Sequence, residues 1–374
     1  MYEGRLISSD DHVMEPADVW TDRMPRSYGD RVPRVVQEPT ADWWVCDGRR
    51  ILSFGPGTQV GKRFESPDEL TPLDRAENVR RGGYDPDARV KDMDQERVDA
   101  SIHYPSVAIA LYHIANNALL TDACRAYNNW LADFCRHAPQ RLKGIGIVNA
   151  EEAPGAVKEL ERCAKIGLVG ALVPTHLSDG KSYDSTEFEP IWSAAESLRL
   201  PLALHVGANR PSHGDQLAST QGTGVRKSFQ ATYDYWVRTS LGDMIFSGLL
   251  EKHPRLKIGS IEHELGWLPY WLQRLDYVYT QKVRRASDHR FKGGAVPSDF
   301  FHSNCFVSFQ EDGLGIRLRD IIGVETMLWG SDYPHVESTF PKSREILDNI
   351  LTGCSQDEKH KIVYANAQRI YAMN

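Results

Sequence analysis

Leu6-Ile7-Ser8-Ser9-Asp10-Asp11-His12-Val13 is the stretch of this 374-residue chain on which the prediction of its fold rests. The apolar start is typical of a buried strand, and the polar triplet at the end supplies carboxylate and imidazole groups. Residues i and i+2 of a strand share a face, so Asp10 and His12 are expected to point into one pocket. Such a pair can hold a divalent cation, although Asp and His also occur in turns and helix caps. Further ligands must come from elsewhere in the chain.

Seven other β-rich runs follow, and helical patterns separate most of them. The eight predicted strands are residues 5–13, 100–105, 143–149, 170–174, 202–206, 256–263, 305–309 and 326–332. The predicted helices are residues 115–137, 153–166, 188–198, 226–252, 265–282 and 317–322, with closing helices at 343–351 and 357–371. Alternating strands and helices indicate parallel pairing, and eight repeats predict an α/β fold, the (β/α)8 TIM barrel.

Two segments depart from a minimal barrel, so we predict a distorted one. Residues 14 to about 90 are inserted between the first two strands, and we expect them to form a cap near the barrel mouth. They include a predicted hairpin, residues 43–46 and 50–54, that turns through Asp47-Gly48. Residues 207–225 are rich in Gly, Ser, Thr and Asn and predict a mobile loop after the fifth strand. The chain from 1 to 374 is predicted to be a single domain.

Composition and charge argue against several classes of function. The net charge is −7, and Lys and Arg are scattered, so no basic surface for nucleic acid is expected. The sequence contains no run of about 18 apolar residues that would span a membrane. The first residues lack the basic and apolar segments of a signal peptide, and the six cysteines are widely spaced. We therefore expect a cytoplasmic protein that acts on a small molecule and binds neither nucleic acid nor membranes.

Polar residues stand at the ends of four predicted strands. The active site of a (β/α)8 barrel lies at the C-terminal ends of its strands. The first strand ends with Asp10 and His12, the fifth with His205, the sixth with His263 and the eighth with Asp332. These five side chains are therefore expected to meet in one pocket.

The pattern resembles the amidohydrolase superfamily, specifically the amidohydrolase-2 family that includes aminocarboxymuconate semialdehyde decarboxylase and γ-resorcylate decarboxylase. The resemblance covers nearly the whole chain and rests on Ser9-Asp10-Asp11-His12, Tyr84-Asp85-Pro86 with Met93-Asp94, Leu204-His205-Val206, His263-Glu264-Leu265-Gly266-Trp267-Leu268-Pro269, Arg274-Leu275-Asp276, and Trp329-Gly330-Ser331-Asp332-Tyr333-Pro334-His335. It implies a metal site formed by Asp10, His12, His205 and Asp332. It also implies that His263 and Asp332 act as catalytic residues that handle protons.

The first ligand differs from that of many family members, because Asp10 stands where an H-x-H pair would supply histidine. The resorcylate-type decarboxylases carry a carboxylate at this position. Two carboxylates neutralise the charge of one M²⁺ ion and make a harder site, so the donor set suits Mn²⁺ as well as Zn²⁺. The fourth predicted strand, residues 170–174, has no Lys that could be carboxylated to bridge two ions. One divalent metal ion, Zn or Mn, is therefore expected.

Three further residues are predicted to contact substrate. Arg80 is similar in spacing to an arginine that binds substrate carboxylate in the muconate decarboxylase, although a solvated cap arginine would fit as well. Arg210 belongs to the predicted mobile loop, and His335 follows Asp332 closely enough to line the pocket. The sequence leaves the roles of three residues open: Glu15, His213 and Glu337.

The resemblance implies a metal-dependent, non-oxidative decarboxylase of a small aromatic or unsaturated carboxylic acid that needs no organic cofactor. Hydrolysis of an amide, lactone or related bond by a metal-activated water is the alternative, because the same ligands serve both reactions. A noncatalytic barrel is disfavoured because the ligand set is intact. Dimers are common among the relatives, so a homodimer or larger homo-oligomer is expected.

Overall fold

A computed structural model of the chain describes residues 3–211, 227–282, 285 and 288–373. Its strands are β1 (Ile7–Val13), β2 (Arg34–Gln37), β3 (Asp42–Cys46), β4 (Arg49–Ser53), β5 (Ala100–Pro105), β6 (Leu142–Ile147), β7 (Gly170–Leu172), β8 (Leu202–His205), β9 (Ile258–Ile261), β10 (Cys305–Phe309) and β11 (Met327–Trp329). Eight of them form one parallel sheet in the order β1, β5, β6, β7, β8, β9, β10, β11. These are the eight predicted barrel strands, and the prediction of a (β/α)8 TIM barrel is confirmed.

Hydrogen bonds just beyond β11 join the last strand to the first. Asp332 N donates to Asp10 O at 2.7 Å, and Ser9 Oγ donates to Trp329 O at 2.9 Å. Gly330 permits this close approach, because a Cβ at this position would lie only 2.4 Å from Asp10 Cβ. The seam between β1 and β11 therefore brings two predicted metal ligands to neighbouring positions.

Helices pack around the sheet. Those of eight residues or more are α1 (Pro86–Glu96), α2 (Asn117–Arg136), α3 (Ala153–Lys165), α4 (Glu189–Leu198), α5 (Asp234–Phe246), α6 (Leu268–Gln281), α7 (Pro297–Asn304) and α8 (Ser343–Ile350). Shorter helices are Asp18–Thr21, Lys62–Glu65, Val107–Ala110, Lys227–Gln230, Leu249–Lys252, Gly313–Arg317, Arg319–Ile322, Gln356–His360 and Asn366–Ile370. The single predicted helix 226–252 was wrong, because the described part of that segment forms three separate helices.

The insertion between β1 and β5 contains a small antiparallel sheet in which β3 pairs with both β2 and β4. The predicted hairpin is present as β3 and β4, and its turn places Asp47 and Gly48 at φ of 50° and 75°. Asp-Gly favours this turn because both central residues need positive φ. The insertion reaches the loop after β11, where Val336 N donates to Pro56 O at 3.2 Å. It therefore lies beside the C-terminal ends of the strands, as predicted.

Other expectations from the sequence have mixed outcomes. All six cysteines are buried and none forms a disulfide. No helix in the described part of the chain is long and apolar enough to cross a membrane. Most of the predicted loop 207–225, including His213, lies outside the described residues.

Candidate metal centre

Four predicted ligands from three barrel strands meet at the C-terminal end of the barrel. His12 Nε2 lies 3.2 Å from His205 Nε2, 3.3 Å from Asp332 Oδ1 and 3.7 Å from Asp10 Oδ1. His205 Nε2 lies 3.5 Å from Asp10 Oδ1. All four side chains are buried. The structure thus brings together two imidazole and two carboxylate groups that are far apart in the sequence.

The backbone fixes which nitrogen of each imidazole is free. His12 Nδ1 lies 2.9 Å from Pro105 O, and His205 Nδ1 lies 2.9 Å from Val206 O. A carbonyl oxygen only accepts a hydrogen bond, so each Nδ1 carries a proton and each Nε2 is the nitrogen that faces the centre. The two Nε2 atoms lie 3.2 Å apart, so both are placed to bind one cation.

The carboxylate groups of Asp10 and Asp332 also lack partners in the centre. Asp10 Oδ2 accepts a hydrogen bond from Ser308 Oγ at 3.0 Å, which leaves Asp10 Oδ1 for the centre. No described residue donates a hydrogen bond to Asp10 Oδ1 or to either oxygen of Asp332, although these atoms are buried. Unpaired buried carboxylate oxygens are costly, so the residues fit a divalent cation held by two nitrogens and two or more oxygens.

Shifted pKa values follow from the crowding of these groups. Burial raises the pKa of Asp332 well above its usual value, and the nearby Asp10 charge raises it further. Burial and the Asp332 charge do the same to the pKa of Glu262. Burial, together with His335 and His205, lowers the pKa of His12 well below its usual value. Neutral imidazoles are the form that binds metal, and a cation would return the carboxyls to their charged form.

Glu262 is a site residue that the sequence analysis missed. Its Oε2 lies 3.5 Å from His205 Nε2. The prediction extended the sixth strand to residue 263, but β9 ends at Ile261 and Glu262 adopts a φ of 64°. Asp332 has a φ of 58°, and β11 similarly ends before it. Positive φ turns the Glu262 side chain away from the face that strand alternation predicts, so the sequence pattern did not place Glu262 in the site.

A second missed residue is Arg89, whose buried guanidinium lies behind the first strand. Its Nε donates to Gly82 O at 2.6 Å, and its Nη2 donates to the carbonyl of His12. Its Nη1 lies 3.6 Å from Asp11 Oδ2. Arg89 therefore holds the backbone that carries His12. Its position on α1 in the insertion gave no signal in the sequence.

His335 borders the centre, whereas His263 belongs to neither set of converging ligand atoms. The His335 ring stacks on His12 at 4.0 Å, and its Nδ1 lies 3.0 Å from Asp332 Oδ1. Within the described residues, two sets of donors converge: Asp10, His12 and His205, and His12, Asp332 and His335. His263 Nδ1 instead faces Ser260 Oγ at 3.2 Å, and burial lowers the pKa of His263 well below its usual value. A catalytic role for His263 stays a prediction.

The two arginines predicted to bind substrate have other partners. Arg80 Nε and Nη2 donate to Asp92 at 2.9 and 2.6 Å. The buried Arg210 donates through Nη1 to Tyr112 O and Ile114 O, at 2.6 and 2.7 Å. These contacts occupy the guanidinium groups, so the structure gives no support to their role toward substrate, which stays a prediction.

The residues with open roles fall in different places. Glu15 is buried and accepts hydrogen bonds from Val107 N and Ala108 N, at 2.9 and 3.0 Å. It thereby caps the first amides of a short helix, which is a structural role. Glu337 is exposed near the mouth.

Comparison with known proteins agrees with this architecture. The family model described as amidohydrolase matches residues 43–373. The chain is 28% identical over 304 residues to a γ-resorcylate decarboxylase from Polaromonas sp. (strain JS666), a match that covers 77% of this chain and 87% of that protein.

Solved structures share the fold. An amidohydrolase from Mycobacterium avium subsp. paratuberculosis K-10 superposes with a TM-score of 0.79 at 22% identity, over 99% of this chain and 98% of that one. A dihydroxybenzoic acid decarboxylase from Polaromonas sp. JS666, with bound manganese and the inhibitor 2-nitroresorcinol, superposes with a TM-score of 0.66 at 21% identity, over 99% and 98% of the two chains. The match to the family model covers most of the sequence, and this chain therefore belongs to the amidohydrolase family.

Proposed function

We propose that this amidohydrolase-family enzyme is a non-oxidative decarboxylase of a small aromatic carboxylic acid that requires one divalent metal ion, Mn²⁺ or Zn²⁺. The observation that carries the proposal is the convergence of metal-binding atoms from Asp10, His12, His205 and Asp332, among which Asp10 Oδ1 and both Asp332 oxygens are buried without a hydrogen bond. The relative from Polaromonas sp. supports the reaction type, and the manganese in the dihydroxybenzoic acid decarboxylase supports the metal.

The chain's own residues supply the proton chemistry. A metal ion bound by the four ligands would act as a Lewis acid toward negative charge on substrate oxygen. Burial and Asp10 raise the pKa of Asp332 and a bound cation would lower it again, so this carboxyl is suited both to take up a proton and to give it to the ring carbon. The bond from that carbon to the carboxylate then breaks, its electron pair returns to the ring, and CO₂ leaves. His335 Nδ1 lies 3.0 Å from Asp332 Oδ1, so an imidazole stands beside that carboxyl group.

The reaction type is tested with protein loaded with Mn²⁺ or Zn²⁺ and offered two groups of compounds. Hydroxybenzoates should release CO₂ and leave the corresponding phenol. Simple amides and lactones report on the alternative, because the same ligands can activate water. Release of amine or free acid without CO₂ would replace decarboxylation by hydrolysis, and turnover of neither group would contradict both activities.

The site is tested by Asp332→Asn, with Asp42→Asn as the control. Asp42 is also buried, but it lies in the insertion and accepts hydrogen bonds from Arg75 Nη1 and Ala76 N. Loss of the proton donor should slow CO₂ release by at least about 100-fold. Asp42→Asn should keep the rate per folded molecule. Full activity in Asp332→Asn would show that the site is assigned wrongly.

Three broader predictions from the sequence belong to the same proposal. We propose that the chain is a single domain, that it forms a homodimer or larger homo-oligomer, and that it acts in the cytoplasm. Limited proteolysis should leave the chain intact, and light scattering should give a mass of at least twice 42.3 kDa. A monomeric mass would contradict the oligomer.

A further inference from the structure

Glu262 forms a more accessible part of the metal centre than the predicted ligands do. Its carboxylate lies 3.5 Å from His205 Nε2, and 17% of its side chain is exposed. The corresponding values are 0% for Asp10 and 1% for Asp332. A molecule that approaches the centre therefore meets Glu262 while the ligands stay enclosed.

The backbone holds Glu262 in place at an energetic cost. Its φ of 64° is a left-handed conformation that residues with a Cβ atom rarely adopt. Its amide donates to Ser308 Oγ at 2.9 Å, and the same hydroxyl donates to Asp10 Oδ2 at 3.0 Å. Because one hydroxyl contacts both residues, the position of Glu262 is tied to that of a metal ligand.

The Glu262 carboxylate nevertheless has no donor of its own. Across the described ranges, no residue donates a hydrogen bond to it, and it belongs to neither of the two converging donor sets. The two arginines predicted for substrate are paired elsewhere, Arg80 with Asp92 and Arg210 with backbone carbonyls. The hydrogen-bond donor for Glu262 is therefore expected to come from the bound molecule.

We propose that Glu262 contacts the substrate and accepts a hydrogen bond from a hydroxyl group on its ring, and that it thereby selects hydroxylated aromatic acids. This inference rests on the proposed decarboxylation. A cation bound beside Glu262 would keep this carboxyl charged, so it would repel the substrate's own carboxylate. The substrate carboxylate then faces the cation while the hydroxyl faces Glu262. A ring that carries an ether in place of the hydroxyl would leave the Glu262 carboxylate desolvated and without a hydrogen bond. Sites that accept a hydrogen bond from a substrate hydroxyl discriminate strongly against analogues that lack it.

Binding of turnover-inert probes tests this role. The dissociation constants of 2-nitroresorcinol and of its dimethyl ether are measured by calorimetry on Mn²⁺-loaded wild type, Glu262→Gln and Glu262→Asp. The control is Glu159→Gln on α3, because Glu159 is similarly shielded at 12% side-chain exposure but pairs with Arg162. Metal content is measured on every sample.

The preference for the hydroxylated probe should fall by at least about tenfold in Glu262→Gln, while metal content and the control stay as in wild type. Glu262→Asp shortens the side chain but keeps the charge, so it should keep part of the preference. It also provides the test if Glu262→Gln does not fold. An unchanged preference in the variants, or loss of the metal from them, would overturn the role. Failure of the wild type to release CO₂ would contradict the proposed function separately, because these measurements need no turnover.

Discussion

Replacing Gly330 by alanine should open the seam that positions Asp10 and Asp332 in the proposed metal centre. The added Cβ would lie 2.4 Å from Asp10 Cβ, 2.9 Å from Asp10 N and 3.0 Å from Asp10 O. Two of these three atoms belong to the backbone, so a change of side-chain rotamer cannot relieve the clash. The chain around Gly330 and β1 must separate instead.

The size of the effect follows from the distances. Ordinary contact begins at 3.4 Å, so the two segments must move apart by about 1 Å. The bond from Asp332 N to Asp10 O, now 2.7 Å, would then exceed hydrogen-bonding distance, which costs about 1 kcal/mol. Overpacking adds about 1–3 kcal/mol. The free energy of unfolding should therefore fall by about 2–4 kcal/mol.

Denaturant titration of Gly330→Ala measures this loss, with Gly242→Ala as the matched control. A Cβ at Gly242, within α5, meets nothing within 4 Å, and alanine there should raise stability by up to about 1 kcal/mol. Metal affinity should fall at least about tenfold in Gly330→Ala only, because ligand distances tolerate about 0.2 Å. Wild-type stability together with wild-type metal affinity in Gly330→Ala would refute this account of the seam.

Three other predictions concern metal, pH and packing. Removal of metal with a chelator should lower the melting temperature, and Mn²⁺ at 100 times its dissociation constant should restore about 2.7 kcal/mol of the free energy of unfolding. An unchanged melting temperature would contradict the proposed metal centre. Burial, and then the charge of Asp312, raise the pKa of Glu264 from 4.5 to about 7. Between pH 4.5 and pH 7 the folded chain therefore keeps a proton that the unfolded chain loses, and the free energy of unfolding falls as the pH rises. Denaturation between pH 5 and pH 8 should show a fall that is larger by about 1–3 kcal/mol in wild type than in Glu264→Gln, because Glu15, whose pKa burial raises to about 7, contributes to both. Identical slopes would count against this account. Arg210→Lys should lower the free energy of unfolding by about 1–3 kcal/mol with little change in KM, because the Arg210 guanidinium donates hydrogen bonds to backbone carbonyls. A raised KM at full stability would support the role toward substrate instead.

The sequence was sufficient for the barrel because strand and helix periodicities differ and alternate along the chain. It also predicted that Asp10, His12, His205 and Asp332 converge, since each stands at or just beyond the end of an apolar run. Arg80 was predicted to bind substrate from the family resemblance and Arg210 from its place in the predicted loop, and neither signal shows which partner a guanidinium has. Arg80 pairs with Asp92, and Arg210 donates hydrogen bonds to backbone carbonyls of Tyr112 and Ile114. These partners come together only in the folded chain.

Glu262 shows why the remaining part of the site could not be predicted. The sequence Ser260-Ile261-Glu262-His263 fits a strand that continues to His263, and the side-chain alternation of such a strand gives no hint of a turn at Glu262. The strand stops earlier because the Glu262 amide bonds Ser308 on the next strand and φ becomes positive. Asp332 adopts positive φ at the corresponding end of β11. Glu262 and Asp332 thus carry backbone strain where carboxylates approach one another, and the proposed cation would relieve their repulsion and offset that strain.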